Sequence, residues 1–216
     1  MQIDIWSDFA CPWCALGDYR LDAALARFEH ADAVEVIHRA FELDPRAPAR
    51  RPQTMEEVLV AKYGMNPQQV AAGHAQLTAY GAEVGMTFAF ERIQLGNTFD
   101  AHRLARSVQG TAQEAAVVKG LFGAYFTDGR LLSDPVVLLD VARTAGVDEV
   151  GAKAVIESDA FAAEVRGEEE QARESDVTGV PYFLINGKWA IPGAQDVETL
   201  GLLLQRAWQR TESTSA

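Results

Sequence analysis

The chain has 216 residues, 48% of them hydrophobic and 23% charged, which provides enough apolar side chains for a substantial core. Its formal net charge of −12 disfavours nucleic acid as a partner, because a protein neutralises phosphates with a basic surface. No apolar run approaches the roughly 20 residues of a membrane-spanning helix, and the opening MQIDIW lacks the basic and apolar regions of a secretory signal. We therefore expect no membrane partner and a cytoplasmic location.

The first part of the chain predicts a β-α-β unit. Ile3 and Ile5 alternate with polar residues and indicate a short strand, and residues 34–41, with β-branched side chains at 34, 36 and 37, indicate a second strand. Between them, apolar residues at positions 21, 24, 25 and 28 recur at the spacing of one helix face. A helical crossover of this kind makes the two strands parallel neighbours.

From Asp44 onward the sequence indicates one helix after another. Start signals such as the capping-box pair Thr54 and Glu57 alternate with stop signals such as Gly64. We expect about six helices between residues 44 and 175. Residues 135–146 are apolar on most sides, so they are expected to form the buried helix of this subdomain.

After Asp176 the pattern returns to strands. The segment YFLINGKWAI has two apolar runs on either side of Asn186-Gly187, a dipeptide typical of a tight hairpin with both turn residues at positive φ. An amphipathic helix is expected at about residues 197–209. The sequence thus predicts an α/β protein in which residues 1–43 and 176–216 form one domain, interrupted by an all-helical insertion at residues 44–175.

The two cysteines of the chain, Cys11 and Cys14, lie where the first strand gives way to the first helix. A sulfur at a helix start lies beside unpaired backbone N–H groups, which favour the thiolate, and only the thiolate attacks disulfides. Cys11 is therefore a candidate nucleophile, and Cys14, one turn later, a candidate resolving thiol. Pro12 suits the first helical turn, and Trp13 adds an apolar surface beside the sulfur.

Other roles for the cysteine pair remain open from the residues alone. A structural zinc site needs four ligands, and here the four histidines are scattered and no second cysteine pair exists, so no metal is expected. Two inert core cysteines are also compatible with the pattern, because free cysteine is often buried. Pro181 in TGVPYF indicates either a cis Val180-Pro181 bond or a trans proline that begins an edge strand.

Together these features resemble a known family. The segment CPWC after a first strand, the long helical insertion, and Gly179-Val180-Pro181 before a hairpin and a last helix resemble the DsbA-like branch of the thioredoxin superfamily. The phrases SDFACPWC, NTFDAHRL and TGVPYF are similar to the intracellular group named for the frenolicin-biosynthesis protein FrnE. The resemblance implies a thioredoxin-like fold with a helical insertion. It also implies a nucleophilic Cys11, a resolving Cys14, a cis Pro181 opposite the thiols, and a Val180 backbone that pairs with an extended substrate.

The expected function is that of a thiol-disulfide oxidoreductase or isomerase that needs no metal or organic cofactor. Its partners would be proteins or small molecules that carry a thiol or disulfide, with glutathione a candidate reductant or co-substrate. The alternative is a glutathione-dependent isomerase or transferase acting on an aromatic or polyketide-like molecule, although related enzymes of that kind typically carry serine at the position of Cys11. A third alternative is a non-catalytic binding protein. The direction of exchange and the oligomeric state stay open.

Three polar residues are candidate modulators of the thiols. Asp8 precedes Cys11 closely and either modulates thiol exchange or is a solvated loop acid. Asn97 and Thr98 are expected to cap the helix that carries His102. Alternatively, His102 faces the thiols, where an imidazole could relay protons or favour the Cys11 thiolate.

Overall fold

A computed structural model of the chain describes residues 1–215 and contains a four-stranded mixed sheet in the order β2-β1-β3-β4. Strands β1 (Gln2–Ser7) and β2 (Glu35–Ala40) are parallel, as the β-α-β pattern predicted. Strand β3 (Tyr182–Ile185) runs antiparallel to β1, and β4 (Trp189–Pro192) runs antiparallel to β3. The predicted α/β class is confirmed.

Nine α-helices occur within residues 1–215, and seven of them lie between β2 and β3, where the sequence predicted about six. Short helices such as the eight-residue one capped by Asp148 are hard to separate from turns by spacing alone. No helix in this part of the chain is long and apolar enough to cross a membrane. The helices are α1 (Pro12–Leu25), α2 (Met55–Tyr63), α3 (Pro67–Glu83), α4 (Phe99–Ser107), α5 (Glu114–Phe122), α6 (Pro135–Thr144), α7 (Glu149–Ile156), α8 (Ala162–Glu174) and α9 (Val197–Ser215).

Helix α6 corrects one expectation from the sequence. It was predicted to be buried on most sides, but only one face, with Val137, Leu138 and Val141, packs into the core. Val136 on the other face is 70% exposed. A run of consecutive apolar residues in a helix points in every direction, so part of it faces solvent when only one side has a partner.

The sheet has a helical layer on each face. Ile3 and Ile5 point toward α1 and α9, where they pack with Leu21 and Leu204. On the opposite face Trp6 packs against α8. The hairpin between β3 and β4 has both turn residues, Asn186 and Gly187, at positive φ, as predicted, and α9 continues to Ser215 beyond the expected end.

Side chains of the helical insertion close the outer edge of β2. An edge strand leaves unpaired N–H groups that must find acceptors. Here three alternate backbone N–H groups, which point away from β1, donate to buried glutamates. The pairs are His38 with Glu114, Ala40 with Glu168 and Glu42 with Glu169, at N···O distances of 2.8, 2.9 and 3.3 Å. The insertion is therefore anchored to the sheet by carboxylates.

A buried charge network reinforces this anchor. The two ring nitrogens of His38 contact Asp18 of α1 at 2.9 Å and Glu114 of α5 at 3.0 Å, and Lys119 contacts Asp18 at 2.6 Å. Burial by itself lowers the pKa of His38, but the hydrogen bonds to the two carboxylates outweigh it and raise the pKa to about 9. Burial likewise raises the pKa of Asp18, and His38 with Lys119 outweighs it and lowers the pKa to about 2. At neutral pH His38 is thus an imidazolium that joins the two parts of the fold.

The network predicts that stability declines in mild alkali. Because the pKa of folded His38 is raised from 6.5 to about 9, its contribution is complete below the unfolded value and is lost as the pH rises through the folded one. We expect the free energy of unfolding, measured with urea, to fall by roughly 2–3 kcal/mol across this window.

A matched pair of variants separates His38 from other titrating groups. His38→Gln should be less stable at neutral pH and should lose most of the alkaline decline. His30→Gln alters a histidine stacked on Trp208, and this variant should still lose stability as the pH rises. A wild-type stability that is flat across the window would contradict the assignment.

Candidate active site

Cys11 lies at the point where β1 leads into α1. It is the N-cap residue, with extended dihedrals of φ −96° and ψ 113°. Its carbonyl accepts from the N–H groups of Cys14 and Ala15 at 3.0 and 3.2 Å, and Pro12 occupies the first turn, where no N–H is needed. No acidic residue lies in this first turn of the helix.

The two sulfurs differ in access. Neither forms a disulfide, and both are buried, at 5% exposed for Cys11 and 1% for Cys14, but only Cys11 lines a cavity. Burial and the adjacent Cys11 sulfur raise the pKa of the Cys14 thiol well above its ordinary value. A molecule that enters the cavity therefore meets Cys11 first, while Cys14 holds its proton.

The loop before β3 faces Cys11. The Val180-Pro181 peptide bond is cis, and the Cys11 Sγ lies 3.7 Å from the Val180 carbonyl oxygen. Gly17 lets the Pro181 ring pack closely against α1, since a Cβ at position 17 would lie 3.0 Å from the Pro181 Cγ. Gly17 is not among the site residues predicted from the sequence, although a glycine inside a helix, which costs about 1 kcal/mol relative to alanine, is a signal of close packing.

Asp8 is a buried carboxylate, 2% exposed, and not a solvated loop acid. It accepts hydrogen bonds from the N–H groups of Ala10 at 3.1 Å and Leu43 at 2.7 Å and from the Thr98 hydroxyl at 2.9 Å. The His102 ring lies 3.6 Å away. Burial raises the pKa of Asp8, but His102 and the backbone donors outweigh it and hold the pKa below its ordinary value. The group is therefore a fixed negative charge behind Cys11.

The other two candidate modulators lie around this carboxylate. Asn97 accepts from the Phe99 N–H at 2.8 Å at the start of α4, and its amide donates to Glu42 at 3.2 Å. Thr98 is the N-cap residue of α4, as expected, but its hydroxyl donates to Asp8 and makes no capping hydrogen bond to the helix. His102 packs on Phe9, with ring centroids 4.8 Å apart, so its imidazole lies behind the loop that carries Cys11.

A cavity of about 500 Å³ opens beside Cys11 and is mostly apolar. Trp13, 40% exposed, lies at its edge together with Pro12. The walls come mainly from α2, α3 and the segment before α4, and they include Met55, Val58, Leu59, Val70, Leu77 and Phe90. Within residues 1–215, no group of three or more His, Cys, Asp or Glu side chains is placed to hold a metal ion.

Residues 2–205 match the family model described as the DSBA-like thioredoxin domain. The chain belongs to this family. A probable DsbA oxidoreductase from Streptomyces coelicolor is 38% identical, with 97% of this chain and 90% of that chain covered and a TM-score of 0.91. A comparison with curated protein sequences gave no match. The likeness to the FrnE group stays a prediction.

More distant solved structures share the fold. A 2-hydroxychromene-2-carboxylate isomerase is 18% identical over the full length of both chains, with a TM-score of 0.75. The cytosolic disulfide reductase DsbM from Pseudomonas aeruginosa, solved with GSH, is 15% identical over 97% of this chain and 100% of that chain, with a TM-score of 0.66. At these identities the likeness shows the fold alone.

The Asp8 contacts predict an unequal response to two threonine substitutions. Thr98→Val keeps the side-chain shape but removes a donor to a buried carboxylate, so we expect the free energy of unfolding to fall by about 1.5–3 kcal/mol. Thr78→Val, on the exposed face of α3, should change it by less than about 0.5 kcal/mol. Urea unfolding at neutral pH measures both free energies. Equal decreases in the two variants would mean that the hydrogen bond from Thr98 to Asp8 does not stabilise the fold.

Proposed function

We propose that the protein is a thiol-disulfide oxidoreductase in which Cys11 attacks the substrate and Cys14 resolves the mixed disulfide. The observation that carries the proposal is the unequal access of the two sulfurs, since Cys11 lines the cavity and the more deeply buried Cys14 does not. The attacking thiol must be reachable and able to form a thiolate. Cys11 meets the first requirement, because it lines the cavity at the N-cap position of α1.

The proposed cycle transfers two electrons. The Cys11 thiolate attacks one sulfur of a substrate disulfide, which forms a mixed disulfide and releases the other sulfur as a thiolate. Cys14 then loses its proton and attacks the Cys11 sulfur. The products are a Cys11–Cys14 disulfide and a second substrate thiol, which takes up the proton, so the substrate is reduced and the enzyme oxidised. Run in reverse, the same steps oxidise a dithiol.

The surroundings of Cys11 suit this exchange. The Val180 carbonyl oxygen lies 3.7 Å from the Cys11 Sγ, next to the cis Pro181. The Val180 backbone therefore offers hydrogen-bonding groups to an extended substrate segment beside the sulfur. Pro12 and Trp13 supply apolar contact at the rim of the cavity. The raised pKa of Cys14 keeps it protonated, and thus unreactive, until the first step brings a disulfide to it.

The proposed cycle needs no metal or organic cofactor. In a cytoplasmic setting, glutathione would serve as the terminal reductant and the net direction would be reduction of substrate disulfides. The structure of DsbM, which has this fold, was solved with GSH, and this supports glutathione as a partner. The substrate would be a protein or small molecule that carries a disulfide.

A second candidate function is a glutathione-dependent isomerase or transferase acting on an aromatic molecule. The apolar cavity beside Cys11 favours it, because such chemistry requires a pocket for the organic co-substrate. The two functions differ in their need for Cys14. Disulfide exchange requires both thiols, whereas glutathione-dependent isomerisation would survive the loss of Cys14.

Single cysteine variants test the proposal. Cys11→Ser should abolish reaction with oxidised glutathione and with a peptide disulfide, because the attacking sulfur is gone. Cys14→Ser should accumulate a mixed disulfide at Cys11, since no resolving thiol follows. Mass spectrometry of non-reduced protein measures both outcomes, with circular dichroism to show that each variant is folded. Unchanged turnover in folded Cys11→Ser would end the proposal.

A further inference from the structure

The cavity beside Cys11 contains a buried hydroxyl without a partner. Tyr125 is 1% exposed and lines the cavity, and among residues 1–215 no group accepts from or donates to its Oη. Buried hydroxyls normally have a partner, because leaving one unsatisfied forfeits its hydrogen bonds to water. The phenol ring packs in the core, and the hydroxyl lies within reach of the charges of Asp8 and Arg51, which also line the cavity, so a molecule bound there is the natural partner.

The backbone around Tyr125 departs from the regular helix. Residues Gly123–Thr127 form a π-helical turn directly after α5, with an i to i+5 hydrogen bond from the Asp128 N–H to the Gly123 carbonyl at 3.0 Å. Such turns reset the direction of the side chains that follow and are found frequently at functional sites. Tyr125 lines the cavity, and its neighbours Ala124 and Phe126 pack with it in the core without lining the cavity.

The charges nearby favour a neutral ligand group at this hydroxyl. Burial first, and then the charge of Asp8, raise the pKa of Tyr125, so the phenol stays protonated and can donate. The Asp8 oxygens are occupied by Thr98 and backbone donors, and Arg51 is paired with Asp44. An anionic group beside Tyr125 would face the Asp8 carboxylate, and the other cationic side chain that lines the cavity, Lys62, lies over the Tyr63 ring. A carbonyl or amide oxygen carries no such penalty.

The shape of the cavity favours a small molecule over a polypeptide. Its volume of about 500 Å³ falls within the roughly 300–1,000 Å³ typical of sites for organic ligands. Helices α2 and α3 supply apolar walls, and His74 lies flat on Phe90, with ring centroids 4.0 Å apart, as one side of an aromatic surface. Burial lowers the pKa of His74, so this surface is uncharged at neutral pH.

We propose that the cavity binds a small organic thiol or disulfide that has an apolar, aromatic body and a neutral hydrogen-bond acceptor, and that the Tyr125 hydroxyl donates to this acceptor. The acceptor and the reacting sulfur are then held at two fixed points, Tyr125 and Cys11. The inference rests on the proposed function, because exchange at Cys11 is the reaction that this positioning serves. Tyr125 thereby becomes a specificity-determining residue.

Tyr125→Phe tests the hydroxyl with two matched probes, bis(4-acetylphenyl) disulfide and bis(4-isopropylphenyl) disulfide, which differ in the acceptor. We expect the second-order rate constant for oxidation of the reduced protein by the acetyl probe to fall about three- to tenfold. The isopropyl probe should change less than twofold, so each probe controls for the other. Stability should not fall, because the lost hydroxyl has no partner. Equal changes with both probes would overturn the role of Tyr125.

Gly73→Leu tests the cavity itself. Gly73 lines the cavity within α3, and a Cβ there meets no atom within 4 Å, so a leucine side chain can enter the open space. The rate with either aromatic probe, taken relative to that with 2-hydroxyethyl disulfide, should fall more than tenfold. Gly167→Leu, at an exposed position of α8 outside the cavity, is the control and should leave this ratio unchanged. An unchanged ratio in Gly73→Leu would place aromatic substrates elsewhere.

A non-reacting probe separates failure of this inference from failure of the proposed function. Calorimetry with 4-(methylthio)acetophenone, a thioether that cannot exchange, should show binding to wild type that weakens in Tyr125→Phe. Binding without any disulfide exchange would contradict the proposed function and support the ligand site. Exchange with 2-hydroxyethyl disulfide, without discrimination between the aromatic probes, would contradict the ligand site alone.

Discussion

The candidate site depends on the burial of one carboxylate, that of Asp8. It joins three parts of the chain, since it accepts from the Leu43 backbone after β2, from Thr98 before α4, and from Ala10 within its own loop. The Asp8 carbonyl in turn accepts from the Cys11 N–H at 3.0 Å. A buried charge is tolerated only when its hydrogen bonds are complete, so the loop before Cys11 is held against the helical insertion or not formed at all.

Buried carboxylates also accept backbone hydrogen bonds along the edge of β2. The glutamates that close this edge come from α5 and α8, and the His38 imidazolium joins α5 to Asp18 of α1. Part of the chain's negative charge is therefore structural and lies inside the protein. This arrangement makes the insertion an integral part of the fold, because removing it would expose strand edges and leave charged groups unpaired.

The sheet and the helical insertion contribute different parts of the site. The sheet and α1 bring Cys11 beside the Val180-Pro181 loop, where disulfide exchange is proposed to occur. The insertion builds the cavity through which Cys11 is reached and contributes the unpartnered Tyr125 hydroxyl. The helices that surround Cys11 therefore determine which molecules can reach its sulfur.

The sequence by itself determined the local features: the parallel β-α-β unit, the hairpin at Asn186-Gly187, and a cysteine pair at a helix start. Each depends on residues a few positions apart, whose spacing and backbone preferences act without the rest of the fold. Only the tertiary structure decided that Asp8 is buried, that Thr98 binds it across 90 residues of sequence, and that Tyr125 lines the cavity. Burial and hydrogen-bond partners are set by segments distant in the chain, so no local pattern could disclose them.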